Sequence, residues 1–258
     1  MTNPPDAPII QTFGLSKRYR TTTAVDDISF RVERGQVFGF LGPNGAGKTT
    51  TIGLLLGIIT PTAGRFELFG GATAAELHAA RGRIGAPLET SNFYPYLSGR
   101  DNLRIVANVK GRDWAEVEQA LDLVGLGRRA KQKFKAYSLG MKQRLALAAT
   151  MLGDPELIIL DEPANGLDPE GMREIREIIR GLGERGKTIF LSSHLLSTAM
   201  LPVQKPPSRL QRLMAPIFSL TAGAPLSRLS ACRYQAGLHS IPCTHLPAWD
   251  HPHNCSRE

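Results

Sequence analysis

Nine residues constrain this chain more than any others: Gly42-Pro43-Asn44-Gly45-Ala46-Gly47-Lys48-Thr49-Thr50. The apolar run Gln36–Leu41 leads into them and the helix-like segment Thr51–Leu56 leads out, so the order is strand, glycine-rich loop, helix. That is the setting of a phosphate-binding P-loop. Glycines let the backbone N–H groups close around phosphate oxygens without a Cβ in the way, and the following helix aims its N-terminal dipole at the same anion. The phosphate cradle thus comprises Gly42, Asn44, Gly45, Gly47, Lys48, Thr49 and Thr50, with Lys48 bridging the β- and γ-phosphates and the Thr49 hydroxyl on Mg²⁺. The pattern predicts binding of a nucleoside triphosphate.

The rest of the chain supplies the sheet that such a loop needs. Ile9–Phe13 and Ala24–Val32 read as strands, Arg65–Phe69 as a short strand and Thr73–Arg81 as a helix. From about Asn92 the pattern turns helical: Gly99–Val109, Asp113–Val124 with Asp113 and Glu116 spaced as a capping box, and Leu139–Met151. Leu157–Leu160 is wholly apolar, as a strand buried on both faces should be, and Asp161 and Glu162 follow at its carboxyl end, where open α/β sheets bind ligands. An adjacent carboxylate pair there divides the work: Asp161 holds Mg²⁺ through its water shell and Glu162 polarises the attacking water. Asp168-Pro169 caps a helix reaching about Arg180, and the strand Thr188–Leu191 delivers Ser192-Ser193-His194.

With these residues in view, roughly residues 9 to 197 resemble the nucleotide-binding subunit of ATP-binding cassette (ABC) transporters. Tyr137-Ser138-Leu139-Gly140-Met141-Lys142-Gln143-Arg144-Leu145 is similar to that family's signature, and Asn165-Gly166-Leu167-Asp168 to the loop that meets the partner subunit. The resemblance implies that Ser138 and Gly140 contact the γ-phosphate of ATP held by the other subunit. It further implies that His194 contacts the γ-phosphate and attacking water, and that Tyr19 stacks on adenine. Glu89 stands where most members carry Gln, in the loop between core and helical insert. That Glu, the stretch Asn92–Arg100 and the signature's Ser-Leu-Gly-Met-Lys-Gln resemble a subset of exporters of the bacitracin- and lantibiotic-resistance type. Glu89 then joins Thr49 and Asp161 around the metal.

The fold class implied is α/β, a P-loop NTPase core with a mixed sheet and flanking helices plus a helical ABC subdomain. Residues 1–91 and 151–197 form the two parts of the core, and residues 92–150 the helical signature subdomain. The cofactors are ATP and Mg²⁺. The partners are a second ATPase subunit, identical or not, and an integral-membrane permease, which places the chain in the cytoplasm on the inner face of the membrane. A net charge of +8 and a pI near 9.7 raise the question of nucleic acid, but the charge is dispersed and fits a solvated surface or a face near anionic lipid headgroups, with no nucleic acid. Three cysteines, all after residue 231, offer no disulfide framework, and the N-terminus has no leader pattern.

Beyond Ser197 the resemblance stops. Residues 198–258 hold eight prolines, four of the six histidines and only two carboxylates, with no sustained helical or strand period. They read as a disordered or frameshifted tail. An impaired, ATP-holding subunit therefore stands as an alternative to an active exporter ATPase, and a soluble ABC-type ATPase acting on ribosomes or DNA as a more distant one.

Overall fold

The computed structural model describes residues 7–87 and 93–194. Strands β1 (Ile10–Tyr19), β2 (Thr22–Ile28), β3 (Arg31–Val32) and β5 (Ala63–Leu68) form an antiparallel sheet. In it β1 carries β5 along one edge and β3 then β2 along the other. Strands β4 (Val37–Leu41), β6 (Ile84–Gly85), β7 (Leu157–Leu160) and β8 (Thr188–Ser193) form a second sheet, all parallel, in the order β4-β8-β7-β6. The two strand directions expected of one mixed sheet are thus partitioned between two sheets.

The parallel sheet is apolar on both faces, which explains the unbroken run at Leu157–Leu160. Leu157, Ile159 and Phe190 join the core under the antiparallel sheet, whereas Ile158, Leu160, Ile189 and Leu191 face the other core. The first core is cemented by Phe30, Phe38, Phe40 and Phe190, whose ring centroids lie 5.5–5.8 Å apart. Helix α1 (Lys48–Leu55) packs there through Ile52, Leu54 and Leu55. The second core takes α6 (Pro169–Glu184) through Ile175, Ile179 and Leu182, together with the helical segment α3 (Gly99–Val109), α4 (Trp114–Leu123) and α5 (Leu139–Met151).

Several boundaries differ from the sequence reading, each for a local reason. The first strand does not stop at Phe13 but runs through Tyr19; Gly14, at φ 57°, takes up a register irregularity that the hydrophobic pattern does not show. The second begins at Thr22 rather than Ala24 and ends at Ile28, just after Asp27 (φ 45°), whose N–H donates to the Ser16 hydroxyl at 2.9 Å; a separate short strand resumes at Arg31. Asp113 caps α4 by accepting from Ala115 N–H at 2.9 Å, but Glu116 does not close a capping box: its carboxylate accepts from Gly153 N–H at 2.8 Å. The capping box belongs instead to α2 (Ala74–Arg81), where Thr73 and Glu76 bond reciprocally. Helix α6 outlasts Arg180 despite Gly181 and Gly183, because Leu182 is buried and Gly183 lies close against Val37.

One ionic junction ties the strand ends together. Glu156, just before β7, receives Arg83 at 2.6 and 2.8 Å and Arg34 at 2.9 Å. Both guanidinium groups also lie over the buried Phe69 ring that follows β5, at 3.9 Å for Arg83 and 5.8 Å for Arg34. The Arg83 side-chain bonds hold the Glu156 carboxyl down at about 2.

Candidate functional site

The chemistry-bearing residues meet at the carboxyl end of the parallel sheet. β4 delivers the chain to Gly42, whose N–H donates to Ser193 O at 3.1 Å, so loop and β8 terminus are joined directly. The loop turns through Ala46 N–H to Pro43 O at 3.2 Å and enters α1 at Lys48. Gly45 and Gly47 have φ of 84° and 82°, an alternation that points successive N–H groups into one concavity. Gly47 is needed for a second reason: a Cβ there would lie 2.1 Å from Ala24 O of β2. The antiparallel hairpin thus closes one side of the loop.

Lys48 is only 6% exposed. Its ammonium donates to Gly42 O at 2.8 Å and Pro43 O at 3.1 Å, and pairs with Glu162 Oε1 at 3.1 Å. The other Glu162 oxygen, Oε2, lies 2.7 Å from His194 Nδ1 and accepts from His194 N–H at 3.3 Å. Burial pushes the Glu162 carboxyl up, but bonds from His194 and Lys48 outweigh it and hold the group below the ordinary carboxylate range. Glu162 has φ 48°, a left-handed conformation that costs a non-glycine residue about 1 kcal/mol or more. Ser192 Oγ, accepting from Glu162 N–H at 3.0 Å, and the turn bond from Asn165 N–H to Glu162 O at 3.0 Å fasten it there.

Thr49 Oγ1 donates to Asp161 Oδ2 at 2.7 Å, and Ser192 Oγ donates to Asp161 Oδ1 at 2.5 Å. A hydroxyl and a carboxylate side by side are the hard oxygen donors that Mg²⁺ accepts while keeping most of its water. Among the described residues no group of three His, Cys, Asp or Glu side chains is placed to cage a metal, so a cation here depends on ligand oxygens for the rest of its shell. The glycine cradle, the buried ammonium and this oxygen pair fit a nucleoside triphosphate with Mg²⁺.

The structure therefore brings together Gly42, Gly45, Gly47, Lys48, Thr49, Asp161, Glu162 and His194; Asn44 lies on the exposed loop and Thr50 in the first turn of α1. Tyr19 ends β1 opposite Thr22, on the hairpin that flanks the loop, with its ring 46% exposed. Ser138 and Gly140 stand apart. Ser138 caps α5 by accepting from Met141 N–H at 3.2 Å, and no described hydrogen bond links it to Lys48 or Asp161. Glu89 lies outside the described residues, as does the stretch 198–258.

Two residues gain roles that their spacing does not announce. Ser192 orients Asp161 and holds Glu162 from the neighbouring strand; the only signal is a polar residue closing an apolar strand that pairs with β7. Gln143 donates to Asn165 O at 2.9 Å, while Gly166 lies near the Leu139 side chain and Gly140 near Leu167. The N-terminal half of α5 is in this way latched to the turn that follows Glu162.

The model of the ABC transporter family matches residues 25–165. The chain belongs to the ABC transporter family. Among curated members, a bacitracin transport ATP-binding protein of Enterococcus faecalis is 46% identical over 191 residues, covering 73% of this chain and 62% of that protein. A lantibiotic transport ATP-binding protein of Streptococcus pyogenes is 39% identical over 183 residues, covering 71% of this chain and 79% of that protein. The chain thus spans about three-fifths of the length of the bacitracin-type ABC relative. Of solved structures, cbiO1 from Clostridium perfringens, part of an ABC transporter complex, superposes with a TM-score of 0.66 at 26% identity, over 74% of this chain and 80% of its own. A dimeric ABC cassette in a post-hydrolysis state with ADP and phosphate gives a TM-score of 0.64 at 23% identity, over 73% of this chain and 89% of its own, a likeness of fold. The described residues contain no helix long and apolar enough to cross a membrane.

Proposed function

We propose that this ABC chain binds and hydrolyses ATP as the motor subunit of an exporter whose membrane permease is a separate chain. The observation that carries the reading is the convergence of Lys48, Thr49, Asp161, Glu162 and His194 around one glycine cradle. ATP enters with its phosphates on the loop N–H groups and adenine against Tyr19. Lys48 exchanges its two carbonyl partners for phosphate oxygens. Mg²⁺, when bound at Thr49 and Asp161, supplies charge neutralisation of the phosphates. Glu162 accepts a hydrogen bond from the attacking water, and His194 holds that carboxylate through Nδ1. As Lys48 turns toward phosphate, Glu162 loses a cationic neighbour, so its affinity for the water's proton rises when substrate is in place.

Two copies, identical or not, sandwich two ATP molecules, with Ser138 and the N–H groups around Gly140 offered in trans to the γ-phosphate. Glu89 would help to hold the metal and, preceding the helical insert in the sequence, would link the site to the permease. The chain is held at the inner face of the membrane through that permease. The names of the bacitracin and lantibiotic transport relatives support a peptide antibiotic as cargo, with drugs or lipid-like molecules as the neighbouring classes. Residues 198–258 take no part in the nucleotide chemistry, a reading supported by their composition.

The trans arrangement is tested by ATP-dependent dimerisation of the full chain. Ser138→Arg leaves monomeric ATP binding unchanged and blocks dimerisation, whereas Lys48→Ala loses both. Loss of monomer binding in Ser138→Arg to the same degree as in Lys48→Ala would place Ser138 in its own subunit's site and sink the proposal.

A further inference from the structure

Between Leu123 and Gly153 the chain carries seven basic residues and no carboxylate. One of the seven, Arg144, is turned inward to Glu174. Five others, Arg128, Arg129, Lys131, Lys133 and Lys135, are exposed, and none forms an ion pair among the described residues. This run is not a loose loop. It is bound along its backbone to the segment 95–100: Phe134 N–H donates to Leu97 O at 2.9 Å, Lys135 N–H to Pro95 O at 2.9 Å and Arg100 N–H to Ala130 O at 2.9 Å. Ser98 and Lys133 form an antiparallel bridge.

The adjoining strap is itself preorganised. Asn102, 2% exposed, accepts from Tyr94 N–H at 2.7 Å and donates to Tyr94 O at 3.1 Å and Ser98 O at 3.0 Å. This rigid clasp presents Tyr94 at 58% and Tyr96 at 74% exposure, with the Lys135 ammonium 5.2 Å from the Tyr96 ring centroid. Phe134 and Tyr137 anchor the run from below, with the Tyr137 hydroxyl donating to Arg129 O at 2.9 Å. Exposed tyrosines thus stand beside exposed cations on a fixed backbone, none of them used by the nucleotide site.

We propose that the strap 94–98 and the cationic run 128–135 form one patch that seats the protein directly on anionic lipid headgroups. Lysines predominate, and they act as strongly hydrated point charges on long apolar stems, without the bidentate forks that would read a defined carboxylate or phosphate pattern. Tyrosine is the partner residue of a membrane–water interface, with an apolar ring and a polar tip. The flanking carboxylates Asp101 and Glu118 are engaged by Ser98 and Arg100, which leaves the cations of the run in excess. That excess matches a two-dimensional array of negative headgroups, to which each lysine near the surface contributes about a factor of five in affinity. The proposal does not rest on the proposed transport activity.

The test is co-sedimentation of the full chain with vesicles of phosphatidylcholine alone and with vesicles rich in phosphatidylglycerol, at low and high salt. The wild-type chain is expected to bind only the anionic vesicles, and less so at high salt. Combining Lys131→Glu, Lys133→Glu and Lys135→Glu is expected to weaken that binding by at least about a hundredfold. Tyr96→Ala is expected to weaken it less, and ATP binding to stay unchanged in both variants. If the triple reversal unfolds the chain, glutamine at the same three positions is read in its place, with a smaller loss of the same sign. Equal binding to neutral and anionic vesicles, or full retention of anionic binding in the triple variant, overturns the proposal. So does a triple variant that loses binding to a mixed-sequence RNA while keeping its hold on vesicles.

Discussion

Gly47→Ala and Gly45→Ala make a matched pair, because both glycines have nearly the same positive φ but different surroundings. An L-residue in that conformation costs about 1–2 kcal/mol, and Gly45→Ala should show that and little else, since nothing lies within 4 Å of its Cβ position. At Gly47 the new methyl would sit 2.1 Å from Ala24 O, well inside the 3.4 Å at which ordinary contact begins. The obstacle is backbone, and Ala24 lies in β2, whose neighbour Val25 is paired with Lys17 of β1, so the hairpin must move as a unit. Displacement of that kind costs about a further 1–3 kcal/mol. Gly47→Ala should therefore be less stable than Gly45→Ala by about 2 kcal/mol, within the range a domain of this size can lose and still fold. Urea unfolding without nucleotide, fitted with a common slope, measures the difference. Coincident midpoints would show that β2 does not press on the loop, and the closed-sided cradle described above would be wrong.

Further consequences concern the junction, the catalytic carboxylate and the latch. Glu156 titrates at about 2 rather than 4.5, so its contribution is complete above 4.5 and is lost as pH falls through about 2. Unscreened linkage would be about 3 kcal/mol; with the side chain 41% exposed about 1 kcal/mol is expected, measured as the stability gap between wild type and Glu156→Gln at neutral pH, which should close on acidification. Glu162 is likewise depressed, so the pairing with His194 and Lys48 stabilises the fold fully above the ordinary carboxylate value and is lost as pH falls through its lowered one; His194→Ala should raise the Glu162 titration point, read by carboxyl NMR. Gln143→Ala removes the bond to Asn165 O and should lower turnover several-fold with monomer ATP affinity unchanged, and Gln143→Glu, which offers no donor, should not rescue it. Equal losses of affinity and turnover would mean that Gln143 only supports the fold.

Much of this site is written in local chemistry. The P-loop combines residue type, spacing and flanking period in one stretch, so loop, strand and α1 follow together. Leu157–Leu160 was legible because burial on both faces leaves no polar alternation, and Asp161-Glu162 followed from its end. What was not legible depended on partners distant in sequence. Ser192 is an ordinary serine until β8 is laid beside β7, and Gln143 meets Asn165 only after α5 folds back on the sheet. Glu116 had the right spacing for a capping box, but Gly153 N–H, unknowable from the helix alone, competes for its carboxylate. Nor does the hydrophobic pattern distinguish one mixed sheet from two separate ones, since strand direction is set by crossovers rather than by strand composition.

Steady-state ATP hydrolysis by Glu162→Gln, with nucleotide binding measured on the same preparation, tests the central claim most directly. Glutamine keeps the size of the side chain and a hydrogen-bonding oxygen but removes the negative charge that polarises water. Binding is expected to be retained or strengthened, and turnover to fall by about a hundredfold or more. Hydrolysis at the wild-type rate in a variant that binds ATP normally would contradict the assignment of Glu162 and, with it, the chemistry placed at the end of this sheet.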